Sequence, residues 1–253
     1  HSWVSHANIA FSTGYTKEER ERLVDVYMAK FKEIFGTYPK SVGSWFIDAH
    51  TLGYMYDKYK IVASCNCKDQ VGTDGYTLWG GYWNQAYYPS RVNAYMPAQT
   101  EEGQIPVPIF RMLGSDPIYQ YDTGLGHSIQ GVITLEPVYG DAGGSEKWVQ
   151  ERQGVISLEP VYEKAGMDRR WVDYFLESIV DQPCLAFNYA QAGQENSFTW
   201  SNMSKGLEMQ IPILDSLRKE NKIRVETLGE SGAWFKECFK VTPPTAVTTL
   251  TDV

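Results

Sequence analysis

The sequence predicts an α/β fold of the size at which barrels of alternating strands and helices occur, and three observations carry that expectation. A chain of 253 residues is near the upper end of what one hydrophobic core supports, so a single domain over residues 1–253 is expected. Its composition, 43% hydrophobic and 21% charged, is that of an ordinary globular protein. Apolar strand-like runs alternate with segments of helical periodicity, and strand, helix, strand implies parallel pairing.

The first helix is the clearest element. Thr16-Lys17-Glu18-Glu19 reads as a capping box. Leu23, Val24, Tyr27, Met28, Phe31, Ile34 and Phe35 then recur at helical spacing until Gly36 supplies a stop. After Pro39 a strand is expected from Val42 to Ile47, then a short helix with Leu52, Met55, Tyr56 and Tyr59 on one face, then a strand from Ile61 to Cys65. Val107 to Met112 reads as the next strand, closed by the turn chemistry of Leu113-Gly114-Ser115-Asp116-Pro117.

Between them, residues 66–107 read as one long loop rich in Gly, Asn, Pro and aromatics. Tyr76, Trp79, Tyr82, Trp83, Tyr87, Tyr88 and Tyr95 all fall in it. Loops of that length inside a domain are usually functional or disordered, and this aromatic content argues against disorder. The chain holds 17 Tyr and 8 Trp, and aromatics on loops suggest a flat apolar face for a ligand. Residues 76–95 are expected to line a rim of the cleft.

Further on, residues 130–149 recur as 153–172: Gln130-Gly131-Val132-Ile133-Thr134-Leu135-Glu136-Pro137-Val138-Tyr139 matches Gln153-Gly154-Val155-Ile156-Ser157-Leu158-Glu159-Pro160-Val161-Tyr162. Each copy reads as a strand with a Glu at its end. Two copies are too few for a solenoid, so a tandem duplication within the domain is expected. A helix from Arg170 to Val180 follows, then a strand from Cys184 to Asn188 and a polar, glycine-bearing loop after it. Met203 to Leu217 reads as a helix kinked at Pro212, Ile223 to Thr227 as a last strand, and Gly229 to Phe239 as a helix before the Pro243-Pro244 break and a short terminal strand.

Several function classes find no support. A net charge of −8 without clustered Lys and Arg is wrong for nucleic-acid binding, and no run of about 18 apolar residues marks a membrane span. Gly-x-Ser-x-Gly, P-loop and dinucleotide fingerprints are absent. Cys65, Cys67, Cys184 and Cys238 fit neither a zinc pattern nor a disulfide framework, and Cys65 and Cys184 read as buried free thiols. No cofactor is expected. Because the chain starts at His1 inside the apolar run Trp3-Val4-Ser5-His6-Ala7-Asn8-Ile9-Ala10-Phe11, an N-terminal part is expected to precede it.

The order His-Ser-Trp-Val-Ser-His (residues 1–6), capped helix, Gly-Thr-Tyr-Pro-Lys (36–40), Ser-Val-Gly-Ser-Trp-Phe-Ile-Asp (41–48) and Ile-Val-Ala-Ser-Cys (61–65) resembles the middle of a polysaccharide-deacetylase-type barrel. Phe-Asn-Tyr-Ala-Gln-Ala-Gly-Gln-Glu-Asn-Ser-Phe (187–198) and Val-Glu-Thr-Leu-Gly-Glu-Ser-Gly-Ala-Trp-Phe (225–235) resemble an uncharacterised bacterial family of the glycoside hydrolase/deacetylase superfamily. The resemblance implies a β/α barrel of seven or eight strands, incomplete at the N-terminus. It also implies an oligosaccharide or polysaccharide ligand and a secreted or periplasmic location. Deacetylases of this type hold a metal with His-x-x-x-His and an earlier Asp. Here His1 and His6 are five apart and the Arg-Pro-Pro motif is missing, so no metal is expected, with His6 the one survivor if there is any.

In parallel barrels the chemistry sits at the carboxyl ends of strands, which filters the many acids. Asp48, Asp69, Glu159, Glu195 and Glu226 are expected at such ends and are the candidate catalytic carboxylates. Glycoside hydrolysis needs two of them, about 5–5.5 Å apart for retention or about 6.5–9.5 Å for inversion. Asp48 ranks first because His50 follows it directly after an apolar strand; its competing role is an N-cap for the next helix. Gln194 beside Glu195 suits sugar hydroxyls. Trp79, Trp83 and Tyr87 are candidate stacking residues, and His50 and Arg111 candidate substrate contacts; Arg111 equally suits a barrel salt bridge. A glycoside hydrolase is the expected activity. The alternatives are a metal-dependent polysaccharide deacetylase and a non-catalytic carbohydrate-binding barrel.

Overall fold

The computed structural model describes residues 14–43, 47–66, 86–111, 169–180, 187–190 and 200–243. The chain divides into two compact units, the first holding residues 1–67, 80–111 and 226–253 and the second residues 68–79 and 112–225.

In the first unit, helix α1 (Lys17–Phe35) begins where its sequence signals it. Thr16 N donates to Glu19 Oε2 at 2.8 Å and Glu19 N to Thr16 Oγ1 at 3.2 Å, so two of the backbone N–H groups a helix start leaves unpaired are satisfied reciprocally. Gly36 ends the helix at φ 76°, a left-handed conformation that glycine adopts at no steric cost, with its N–H on Lys32 O. Val24 and Met28 face inward. Strand β1 (Ser41–Gly43), helix α2 (Ala49–Tyr59) and strand β2 (Ala63–Asn66) form a β-α-β unit, and β2 pairs in parallel with both β1 and β5 (Ile109–Arg111). The sheet order is β1-β2-β5. Leu52, on the inner face of α2, is fully buried and packs with Met28, Ile61, Tyr87, Ile105 and Ile109 in one core.

The segment expected to be a loop over 66–107 departs from that reading in its described half. Strands β3 (Pro89–Ser90) and β4 (Asn93–Pro97) form an antiparallel hairpin, and residue 87 bridges to Ile109 in the antiparallel sense. Tyr87 N donates to Ile109 O at 3.2 Å and Ile109 N to Tyr87 O at 2.8 Å, which seals the outer edge of β5. Ala86, Tyr87, Tyr88, Ala94, Ile105 and Val107 are buried. An exposed loop cannot bury this much apolar surface, so the segment is core.

Helix α5 (Leu228–Cys238) opens with a second capping box, Thr227 with Glu230, and lies on β2. Gly232 allows the approach: a Cβ there would meet Val62 O at 2.8 Å and collide with Ala63 Cβ. Its first turn packs against Lys40, Ser41 and Val62, the amino-end side of β1 and β2. Residues 223–227, expected as a strand, form none; they are the lead-in to this cap. The chain after α5 is tied back to the hairpin segment. Tyr88 Oη donates to Phe239 O at 2.8 Å, and Gln104 Nε2 to Lys240 O at 2.9 Å. Burial, helped by Glu101, pushes the Tyr88 phenol up to about 12.

In the second unit, helices α3 (Arg169–Val180) and α4 (Trp200–Lys219) match the two expected helices, with Val172 and Leu176 buried one turn apart. Helix α4 runs unbroken through Pro212. Phe187 and Asn188, expected to end a strand, are not in one. The first copy of the repeat (130–149) and residues 153–168 of the second lie outside the described residues, as do Cys67 and Cys184; residues 169–172, the end of the second copy, open α3. Cys65, expected to be buried, is half-buried. Among the described residues a three-stranded parallel sheet and a two-stranded antiparallel sheet stand where a closed barrel was expected. No described helix is long and apolar enough to cross a membrane.

Candidate functional site

The carboxyl ends of β1, β2 and β5 are Gly43, Asn66 and Arg111, with Asn66 and Arg111 paired in register. In open or closed α/β sheets that end carries the chemistry, and α2 starts beside it. Asp48 is the N-cap of α2, in extended conformation at φ −93° and ψ 156°. Its Oδ1 accepts from Thr51 N at 2.9 Å, and its Oδ2 from Thr51 Oγ1 at 2.6 Å. Arg20 Nε of α1 lies 3.3 Å from Asp48 Oδ2 and donates to Thr51 Oγ1, while Arg20 Nη1 donates to Tyr15 O at 2.8 Å. Both oxygens of Asp48 are therefore engaged, and the capping role that the sequence offered as a competitor is its role in this structure. Beside it, His50 Nε2 lies 2.8 Å from Glu21 Oε1, both side chains about one-third exposed.

Two of the expected site residues are elsewhere. Tyr87 is fully buried and its hydroxyl donates to Ala94 O at 2.7 Å, so it is a core residue sealing β5 and no part of a rim. Glu226 ends no strand: it is exposed, accepts from Ser231 Oγ at 3.0 Å, and precedes the first turn of α5 on the amino-end side of the sheet. Arg111 does close β5, at the end expected for it. Asp69, Trp79, Trp83, Glu159, Gln194, Glu195 and His6 lie outside the described residues. Among the described residues no three His, Cys, Asp or Glu side chains come together as a metal site.

Sequence reasoning missed Arg20 and Glu21, which bind the start of α2 from α1. Helical spacing puts both one turn from Leu23 and Val24, which is a signal that they border the packed face, but nothing in sequence names partners 28 or more positions away.

A denser cluster joins the other end of the same two helices. Asp25 Oδ1 accepts from Tyr54 Oη at 2.8 Å and Tyr59 Oη at 2.6 Å, and Lys58 Nζ reaches Oδ1 at 2.9 Å and Oδ2 at 2.8 Å. The hydrogen bond from Lys58, then that from Tyr59, holds the Asp25 carboxyl below the usual carboxylate range. Lys58 is raised in return, mainly by Asp25. Burial first, then Asp25, pushes the Tyr59 phenol up to about 12.

The arrangement defines an α/β fold in which a parallel sheet has the start of α2 after the carboxyl end of its first strand. No family model and no curated protein matches the chain. Among solved structures it is similar to a candidate glycoside hydrolase/deacetylase from Parabacteroides distasonis, at a TM-score of 0.59 and 16% identity. The match covers 89% of this chain and 49% of that one, so the chain spans about half the length of that protein. At this identity the likeness is one of fold.

Proposed function

We propose that the chain is most of a β/α barrel of the glycoside hydrolase/deacetylase kind and acts on oligosaccharide or polysaccharide. The observation that carries this reading is the likeness of fold over 89% of the chain, together with a parallel sheet whose carboxyl ends lie beside the start of α2. The finer reading is glycoside hydrolysis by two carboxylates. One carboxyl gives its proton to the leaving oxygen and the other attacks the sugar carbon or takes a proton from the attacking water, so water is consumed and one glycosidic bond breaks. Asp48, Asp69, Glu159 and Glu195 are the acids for that pair. Glu226, at the other end of the sheet, is set aside. Trp79 and Trp83 would stack on sugar faces, and His50, Arg111 and Gln194 would contact hydroxyl or carboxylate groups.

A panel of oligosaccharides and acetylated glycans, read for new reducing ends and for free acetate, tests this. New reducing ends that vanish in a Glu195→Gln variant support the carboxylate pair. Acetate release that depends on added metal moves the reading to deacetylation and revives His6. A specific observation favours a second reading, binding without turnover: Asp48 already spends both oxygens on Thr51 and Arg20. Calorimetric binding with no product of either kind would establish that reading in its place.

A further inference from the structure

Glu21 and His50 carry a piece of chemistry that the other polar pairs between α1 and α2 do not. His50 Nε2 lies 2.8 Å from Glu21 Oε1, a partner 29 positions away in the chain. An ionised carboxylate only accepts hydrogen bonds, so the proton of this contact belongs to Nε2. A neutral imidazole has one N–H, and with that proton on Nε2 its Nδ1 is left as a lone-pair acceptor. Glu21 therefore sets which ring nitrogen can meet a ligand and in which role. Nδ1 itself has no hydrogen-bond partner among the described residues.

The ring is also held in place. Arg20, the residue before Glu21, binds the same helix start: its Nε lies 3.3 Å from Asp48 Oδ2 and donates to Thr51 Oγ1. The first turn of α2 is thus tied to α1 through Asp48, His50 and Thr51 at once. Both oxygens of Asp48 and the hydroxyl of Thr51 already have partners within this turn, whereas His50 Nδ1 has none. It is an acceptor on the turn that follows the carboxyl end of β1, and a side chain about one-third exposed leaves it within reach of a ligand.

We propose that Glu21 is a positioning residue acting through His50: held in the Nε2–H tautomer, His50 accepts a hydrogen bond from a sugar hydroxyl through Nδ1. The ligand half of this rests on the carbohydrate reading above, and the tautomer half on the Glu21 contact alone. An acceptor nitrogen selects for a free hydroxyl, because a deoxy or O-methyl sugar has no proton to give and leaves Nδ1 unpaired.

The whole chain labelled with ¹⁵N-histidine tests both halves. Long-range ¹H–¹⁵N correlations are recorded at mildly alkaline pH, with His50 assigned by the set of signals that His50→Gln removes. The parent should show the Nε2–H form alone, and Glu21→Ala a mixture of the two tautomers. Tetrasaccharides of glucose, xylose and N-acetylglucosamine are then titrated in. The sugar bound best should shift Nδ1 saturably and leave Nε2 nearly still. Asparagine places its amide oxygen where histidine has Nδ1, and glutamine reaches the Nε2 position instead. His50→Gln should therefore lose about tenfold in affinity, as for one lost hydrogen bond, and His50→Asn clearly less. An Nδ1–H signal in the parent overturns the proposal, and so does a sugar that binds the parent and His50→Gln equally well. A parent that binds no sugar of the panel counts against the carbohydrate reading instead, and the tautomer of the free chain still decides the part of Glu21.

Discussion

The two ends of the α1–α2 seam bind an aspartate in opposite ways. Asp25 gathers Tyr54, Lys58 and Tyr59 onto one carboxylate, and every donor comes from the other helix. Asp48 takes its two backbone-and-hydroxyl donors from its own helix, at Thr51, and only Arg20 crosses the seam. The first fastens two elements together. The second shapes the start of one element, beside the end of the sheet where chemistry is done in such folds. A carboxylate whose partners are local can lose its charge, or turn to a ligand, without parting the helices. A carboxylate that is the seam cannot, so function is more easily placed at Asp48's end than at Asp25's.

The largest expected effect is one that ignores this difference. Met28 is fully buried in the core that also holds Leu52 of α2, so Met28→Ala should cost about 3 kcal/mol in urea unfolding, the lost burial plus a cavity. Hydrogen exchange should rise at both ends of α2 alike. If only one end loosens, the seam is two units and the comparison needs recasting.

The next effect separates the ends. Asp25→Asn keeps the shape but removes the charge that Lys58 and two phenols answer to, at an expected cost of about 1 kcal/mol for this half-exposed cluster. The pH dependence gives a second readout. A carboxyl held low in the folded state contributes stability that is present above its ordinary unfolded value and is lost as pH falls through the lowered folded value. Urea midpoints from neutral pH down through the acid range should therefore fall less in Asp25→Asn than in the parent. Parallel curves would show that Asp25 carries no such share.

Much of this seam was legible in the sequence, and the limits have physical causes. The capping box at Thr16 and the stop at Gly36 are local chemistry, which a sequence states outright. The inward face of α2 follows from its period, and Asp48 is where an N-cap belongs. The hairpin at residues 89–97 was not legible: its turn is Arg91-Val92, with no Asn-Gly or Asp-Gly and no positive φ, and four prolines in residues 89–108 mask the strand pattern. Tyr87 was misplaced for the same reason, since its burial depends on Ile109 far along the chain. The Asp25 cluster was missed because its partners lie 29 to 34 positions away, and a lone Asp on a helix reads as solvated.

A smaller effect isolates the cap. Asp48→Ala removes the acceptor for Thr51 N and should cost about 1 kcal/mol, whereas Asp48→Asn keeps an amide oxygen that caps about as well. Thermal melts distinguish the two variants. Should Asp48→Asn destabilise as much as Asp48→Ala, the Arg20 ion pair outweighs the cap, and the seam's two ends are more alike than their geometry says.

The smallest expected effect is the sharpest on function. His50 and Glu21 are each about one-third exposed at 2.8 Å, and exposed pairs of this kind contribute no more than about 1 kcal/mol. His50→Gln should therefore leave the melting midpoint within a degree or two, because glutamine can still donate a hydrogen bond to Glu21. Its effect on glycan binding or turnover is then free of any change in fold. A variant of parental stability whose KM rises while kcat holds would make His50 a substrate contact, since uniform binding is what has been lost. A fall in kcat at unchanged KM would give it a part in the reaction itself. Parental values of both would leave His50 as the partner of Glu21 and nothing more, and the start of α2 would then be scaffold at both of its polar pairs.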